Sequence, residues 1–176
     1  MFFDHTSFFT FVIASVVILI VPGPSVTVIV ANSLKYGVKA GLVSIAGTQA
    51  GLVILLVILA LGLEAITTTL AWLFDWLRLA GGAYLVWLGY KLLRSNGDLG
   101  QPDTPDRQQG SCFWQGFVVI LSNPKVLFFF GAFLPQFISP QGNAGLQTLF
   151  FGLIFMVLAT FLDSLYALAA GGQGNC

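Results

Sequence analysis

One lysine and one aspartate stand deep inside stretches of chain that are otherwise apolar. Lys125 follows Asn123-Pro124 within the run Phe113–Phe137, and Asp163 lies within the run Leu146–Ala170. At 1.5 Å per helical residue, Lys125 falls about 18 Å from the start of its run, near a bilayer's middle. A charge at that depth costs at least about 2.5–3.5 kcal/mol on insertion scales and marks a substrate or ion path by default. The plainer reading is a lysine that snorkels or pairs structurally. Asp163 has the chemistry to bind a substrate ammonium, take up a proton or pair with Lys125. Its plainer reading is an acid near enough to the cytoplasmic end of its helix to stay hydrated.

The second chemical feature is a break. Val21-Pro22-Gly23-Pro24-Ser25 interrupts the apolar run Phe8–Ala31. Proline has no amide hydrogen, so the carbonyls of Ile18 and Ile20 lose their helical partners. Unsatisfied backbone is costly in lipid and must face protein or a wet cavity. Beyond the break Ser25-Val26-Thr27 starts a new half-helix, whose free N–H groups and positive dipole end suit a carboxylate. A structural kink is the alternative, and the pattern argues against it because it recurs. Val16-Val17-Ile18-Leu19 before Pro22 reappears as Val118-Val119-Ile120-Leu121 before Pro124, with the same spacing. Asn123 can also bond carbonyls that Pro124 frees. Gln49, inside Gly47-Thr48-Gln49-Ala50-Gly51, is a further candidate for lining a cavity. The glycines around it, like Gly81, Gly82 and Gly89, read as close helix packing. His5 lies in the terminal tail and reads as solvated.

These residues need apolar helices to carry them, and the composition supplies them. Of 176 residues, 57% are hydrophobic and 8% charged, with mean hydropathy +0.91. A soluble domain carries about 25% charged residues, so this chain is an all-α integral membrane protein. About 20 apolar residues cross a membrane. Five segments qualify: Phe8–Ala31, Gly41–Leu63, Leu70–Leu92, Phe113–Phe137 and Leu146–Ala170. The first is too long for a signal peptide and lacks a basic flank, so it reads as a retained helix. Zero net charge and the absence of a basic tract exclude nucleic acid as a partner. No motif calls for a cofactor or a metal. Cys112 and Cys176 form no spacing motif and lie on the cytoplasmic side, so no disulfide is expected.

Orientation follows from Lys and Arg placement. Lys35 and Lys39 lie in the first loop, and Lys91, Arg94 and Arg107 in or beside the third. Those loops are therefore cytoplasmic and the N-terminus is outside. Arg78, beside Asp75, Trp72 and Trp76, fits as an interfacial residue that snorkels. The two Pro-broken helices are separated by three crossings, so the second copy is inverted. Broken helices at equivalent places of an inverted repeat point to a transporter's binding site. The chain then divides into a three-helix unit (1–93), a polar connector (94–111) and a second, incomplete unit (112–176).

Pro22-Gly23-Pro24, Gly37 and Gly41 leading to Gly47 and Gly51, the run Leu79–Lys91, and Asn123-Pro124-Lys125-Val126-Leu127-Phe128-Phe129 ending in Leu134-Pro135-Gln136-Phe137 together resemble the LysE/RhtB family of bacterial amino-acid exporters. The resemblance covers nearly the whole chain. It implies a multi-pass protein of the bacterial cytoplasmic membrane that exports amino acids such as threonine, homoserine, leucine or lysine, in exchange for protons or driven by the membrane potential. The family has six helices, whereas this chain ends in a Gly-rich tail after the fifth. That departure is expected of a truncated or frameshifted reading frame, and an inactive copy is one alternative. The missing helix would leave a groove for lipid, or for a partner chain in a homo-oligomer.

The expected function is amino-acid export by alternating access between the two units. The substrate carboxylate would meet the half-helix after Pro24, its ammonium would face Asp163 or Asn123, and Lys125 would serve as counter-charge or coupling group. An exporter of another small solute or ion remains open on the same plan. A metal exporter would want more acidic, His or Cys ligands within the membrane than Asp163 alone. An intramembrane enzyme would need paired acids, or a nucleophile with its base, and no span offers either.

Overall fold

The computed structural model describes residues 5–62, 105–139 and 141–172. The expected third helix and most of the polar connector lie outside the described residues. All regular structure among those described is helical. Helix α1 (His5–Ile20) ends where Pro22 biases Val21 away from helical backbone. Helix α2 (Pro24–Tyr36) starts with a proline at its first position, where fixed φ suits the helix and no amide is missed. The two are bent by 51°. Helix α3 (Val38–Gly62) follows after Gly37 alone. Gly37 has φ +85°, which glycine reaches without strain, and its N–H closes α2 on the Ser33 carbonyl at 2.9 Å.

Helix α4 (Pro105–Leu121) leads to a second break at Ser122-Asn123. Helix α5 (Pro124–Phe128) then passes into a π-helical turn (Phe129–Phe133) and a 3₁₀ turn (Leu134–Phe137). This pair is bent by 43°. Helix α6 (Ala144–Gly171) starts on an Asn143 cap, whose side chain accepts the Leu146 N–H at 2.9 Å. Single helices α3 and α6 are long and apolar enough to cross a membrane, and each bent pair supplies a further crossing if it acts as one span.

Two boundaries differ from the sequence expectation. The first loop, expected around Lys35 and Lys39, shrinks to Gly37. Lys35 and Lys39 stay exposed, but on helix ends, and Asn32 before them is buried: its Nδ2 donates to Ser44 Oγ at 2.9 Å and to Gln115 Oε1 at 3.1 Å. Ser33 Oγ donates to the Ile29 carbonyl. Helix α4 begins at Pro105, well before the expected Phe113, because proline nucleates a first turn and polar turns extend a helix past the lipid.

Neighbouring pairs fix the directions. Along α6, α1 and α2 advance together: Phe11 stacks near Phe151 (4.7 Å between centroids), Tyr166 bonds Ile20, and Ile29 packs with Ala167. The bent pair therefore traverses the bundle once. Helix α3 runs opposite to α6, with Ala60 beside Gly145 and Val38 beside Gly171. The α4–α5 pair runs antiparallel to α1–α2, through Gln115 with Asn32, Asn123 with Ser25 and Phe129 with Phe11. Close approach of α3 to α4 depends on glycine. A Cβ on Gly47 would overlap the Phe113 carbonyl, and one on Gly116 would overlap the Ser44 carbonyl.

Aromatic rings fill the core on the α1 side of the breaks. Phe11, Phe129, Phe151 and Phe155 are fully buried, with Phe130 and Leu134 beside them. The outer faces are apolar too: Ile13 and Val17 of α1, and Leu153, Val157 and Phe161 of α6, stand exposed. A surface as apolar as its interior is the surface of a protein solvated by lipid.

Candidate functional site

The two breaks face one another. Asn123 is fully buried, and its Nδ2 donates to Ser25 Oγ at 3.1 Å across 98 positions of chain. Its Oδ1 accepts the Lys125 N–H at 3.1 Å and so caps α5. This differs from the expected role, since the Ile120 carbonyl that Pro124 frees takes the backbone N–H of Asn123, at 3.2 Å. The two breaks thus meet through Ser25 with Asn123 and through Gly23 beside Lys125, while Pro22, Pro24 and Pro124 flank these contacts along the chain.

Lys125 closes the gap that the prolines open. Its Nζ donates to the Ile18 carbonyl at 2.9 Å and to the Val21 carbonyl at 2.7 Å. Ile18 is the residue whose helical partner would have been Pro22. The ammonium also lies at the head of α2, 3.4 Å from where a Cβ on Gly23 would sit. Gly23 is extended there (φ −122°, ψ −172°) and its carbonyl accepts both the N–H and the hydroxyl of Thr27, at 3.0 and 3.1 Å.

The other freed carbonyl, that of Ile20, accepts the hydroxyl of Tyr166 at 2.8 Å. Sequence reasoning missed Tyr166. A tyrosine in an apolar helix is unremarkable, and the partner lies 146 positions away. It also missed Ser15, whose hydroxyl is buried in α1 without a partner. Asp163, three residues before Tyr166 on α6, is buried on the stripe that faces the bundle.

Gln49 stands apart from this group. Both polar atoms of its amide are buried without a partner. It lines an open groove of about 580 Å³ with α6 residues that include Met156, Thr160 and Ser164 and the exposed Leu153, Val157 and Phe161. Among the described residues no cluster of three His, Cys, Asp or Glu side chains converges.

Discontinuous apolar helices that meet on buried polar groups are an arrangement that recurs in membrane transporters. The chain belongs to the LysE type translocator family, whose model matches residues 16–172. It is 32% identical over 163 residues (92% of this chain, 79% of the relative) to the homoserine/homoserine lactone efflux protein of Salmonella typhimurium. It is 30% identical over 175 residues (95% and 85%) to the threonine efflux protein of Salmonella typhi. No solved structure matches it significantly. Family and apolar helices together make it a multi-pass membrane transport protein.

Proposed function

We propose that this chain exports an amino acid from the cytoplasm by alternating access across the bacterial cytoplasmic membrane. The observation that carries this reading is the pairing of opposite helix ends at one break. Helix α1 presents carbonyls and a negative dipole end; α2 presents free amides and a positive one. An amino-acid zwitterion needs both within one molecule's length. The substrate carboxylate meets the head of α2 beside Lys125, while its ammonium is drawn to the carbonyl side and to Asp163. Asn123 and Ser25 fix the two breaks against each other, and Gln49 borders a separate groove between α3 and α6. The chemistry asks for transport alone, with no cofactor and no bond made or broken.

The antiparallel course of α1–α2 and α4–α5 supports two inverted units, 1–93 and 112–176, joined by a cytoplasmic connector (94–111). In this reading five helices cross the membrane and the N-terminus is outside. Gly23 and Lys125 are equivalent positions of the two copies, and the Lys125 ammonium lies 3.4 Å from where a Cβ on Gly23 would stand. Contact between equivalents is what a pseudo-two-fold axis through the breaks produces. The efflux proteins named above support an amino acid as cargo.

Efflux of preloaded threonine or homoserine from cells expressing the chain tests this, with Lys125→Ala and Pro22→Ala beside the parent. Export by the parent, lost in both variants at equal membrane levels, is expected. Unchanged efflux in both variants would overturn the site.

A further inference from the structure

The carbonyls of Ile18 and Val21 form an ammonium site that the protein fills with its own lysine. Both accept from Lys125 Nζ, at 2.9 and 2.7 Å, and the side chain that delivers it is only half buried. The end of a lysine side chain is a primary alkylammonium, the same group that an amino acid carries. We propose that Lys125 is a tethered stand-in for the substrate amino group: in the empty transporter it occupies the Ile18–Val21 carbonyl pair, and the arriving substrate displaces it. This rests on the amino-acid reading above and assigns the ammonium half of that site to backbone rather than to Asp163.

Three features argue for exchange over a fixed brace. First, carbonyls left open at this depth are costly, so an empty site without a stand-in would be unstable. Lysine removes that cost without closing the site covalently. Second, the displaced Nζ stays at the head of α2, beside Gly23, where the substrate carboxylate binds. One ammonium replaces another on the carbonyls, and the freed lysine pairs with the carboxylate. The zwitterion adds no net charge, so the empty and loaded forms carry the same charge within the membrane. Third, a groove of about 400 Å³ runs from Lys125 to the outer apolar face, between Ala14, Val17, Phe128 and Phe133, with Val17 and Phe128 exposed at its mouth. It gives apolar room beside the ammonium position for a small side chain.

The test is chemical rescue read as melting temperature of the purified protein in detergent. Lys125→Ala keeps Cβ and lacks the three methylenes and the nitrogen, which n-propylammonium restores. Lys125→Met fills most of the stem and leaves only the ammonium position empty, which the ammonium ion itself fits. Each matched cation is expected to raise the melting temperature of its variant by about 2–4 °C at saturation and to leave the parent unchanged. Tetramethylammonium, which has charge but no N–H, and butyrate, which has the chain but no ammonium, are expected to do nothing. Equal stabilisation by tetramethylammonium, no stabilisation by the matched cations, or failure of both variants to fold with or without them would overturn the proposal. Amino-acid efflux is measured separately. Rescue without efflux would leave the ammonium site standing and remove the amino-acid reading; efflux without rescue would do the reverse.

Discussion

Tyr166 donates its hydroxyl to the carbonyl of Ile20 at 2.8 Å, and so ties α6 to the carbonyl that Pro24 leaves without a helical partner. With Lys125 on Ile18, both carbonyls freed by the prolines are satisfied, each from a different helix. The break is therefore gripped from two sides, by α5 and by α6.

Removing one grip is a small change with a specific expectation. Tyr166→Phe deletes the hydroxyl and keeps the ring, leaving Ile20 unsatisfied. Hydrogen bonds between membrane helices average about 0.6 kcal/mol and reach about 1.7 kcal/mol. The variant is expected to lose stability within that range in detergent unfolding, and to export several-fold more slowly because the break is less well held. A variant equal to the parent in both measurements would show that the bond holds nothing.

The contact between the breaks allows a cleaner measurement. Asn123 and Ser25 bond each other at 3.1 Å, so Asn123→Ala, Ser25→Ala and the double variant form a cycle. Coupling of about 0.6–1.7 kcal/mol is expected. Asn123→Ala alone is expected to cost more than Ser25→Ala, because it also removes the cap on α5, worth about 1 kcal/mol. Additive single effects would mean that the breaks are not joined through this pair.

Much of this site is legible in the sequence, because its signals are local and rare. Two prolines around Gly23, a lysine beside Pro124 and an acid at Asp163 all violate the apolar pattern where they stand. Freed carbonyls at Ile18 and Ile20 follow from proline chemistry alone. Their donors do not follow, since Lys125 and Tyr166 reach them over 107 and 146 positions. The helix boundaries near Gly37 were hidden for a related reason. Asn32 and Ser33 fall between the expected helices, until the third dimension buries them: Asn32 bonds Ser44 of the next helix and Ser33 bonds back to Ile29. By contrast, Gly47 and Gly51 announce a close helix contact by spacing, and α4 is what they touch.

That contact sets up a packing prediction. A Cβ on Gly47 would meet backbone, the Phe113 carbonyl, which cannot swing aside as a side chain can. Gly47→Leu is expected to cost about 1–3 kcal/mol, or more if α3 and α4 part altogether. Gly110 has open space around it, so Gly110→Ala is expected to be neutral or stabilising by up to about 1 kcal/mol through helix propensity. Melting temperatures of the two purified variants decide the matter, and a reversed order would mean that α3 and α4 do not pack as described.

Asp163 separates a structural acid from a working one. It is buried on the inward stripe of α6, the helix that also carries Tyr166 to the break. Asp163→Asn preserves shape and hydrogen-bonding capacity while removing the charge. If the carboxylate serves only to fill its place, the variant folds and exports as the parent does. If it balances Lys125 as the ammonium leaves the Ile18 carbonyl, the swing of Lys125 becomes an uncompensated charge movement in a medium where that is expensive. Export is then expected to fall by at least about tenfold, the equivalent of 1.4 kcal/mol on the limiting step. Membrane levels should be unchanged. Asp163→Glu is expected to recover part of the loss, because it restores the charge at a slightly altered reach. Quantified efflux at matched expression distinguishes these outcomes, and full activity in Asp163→Asn would remove Asp163 from the mechanism.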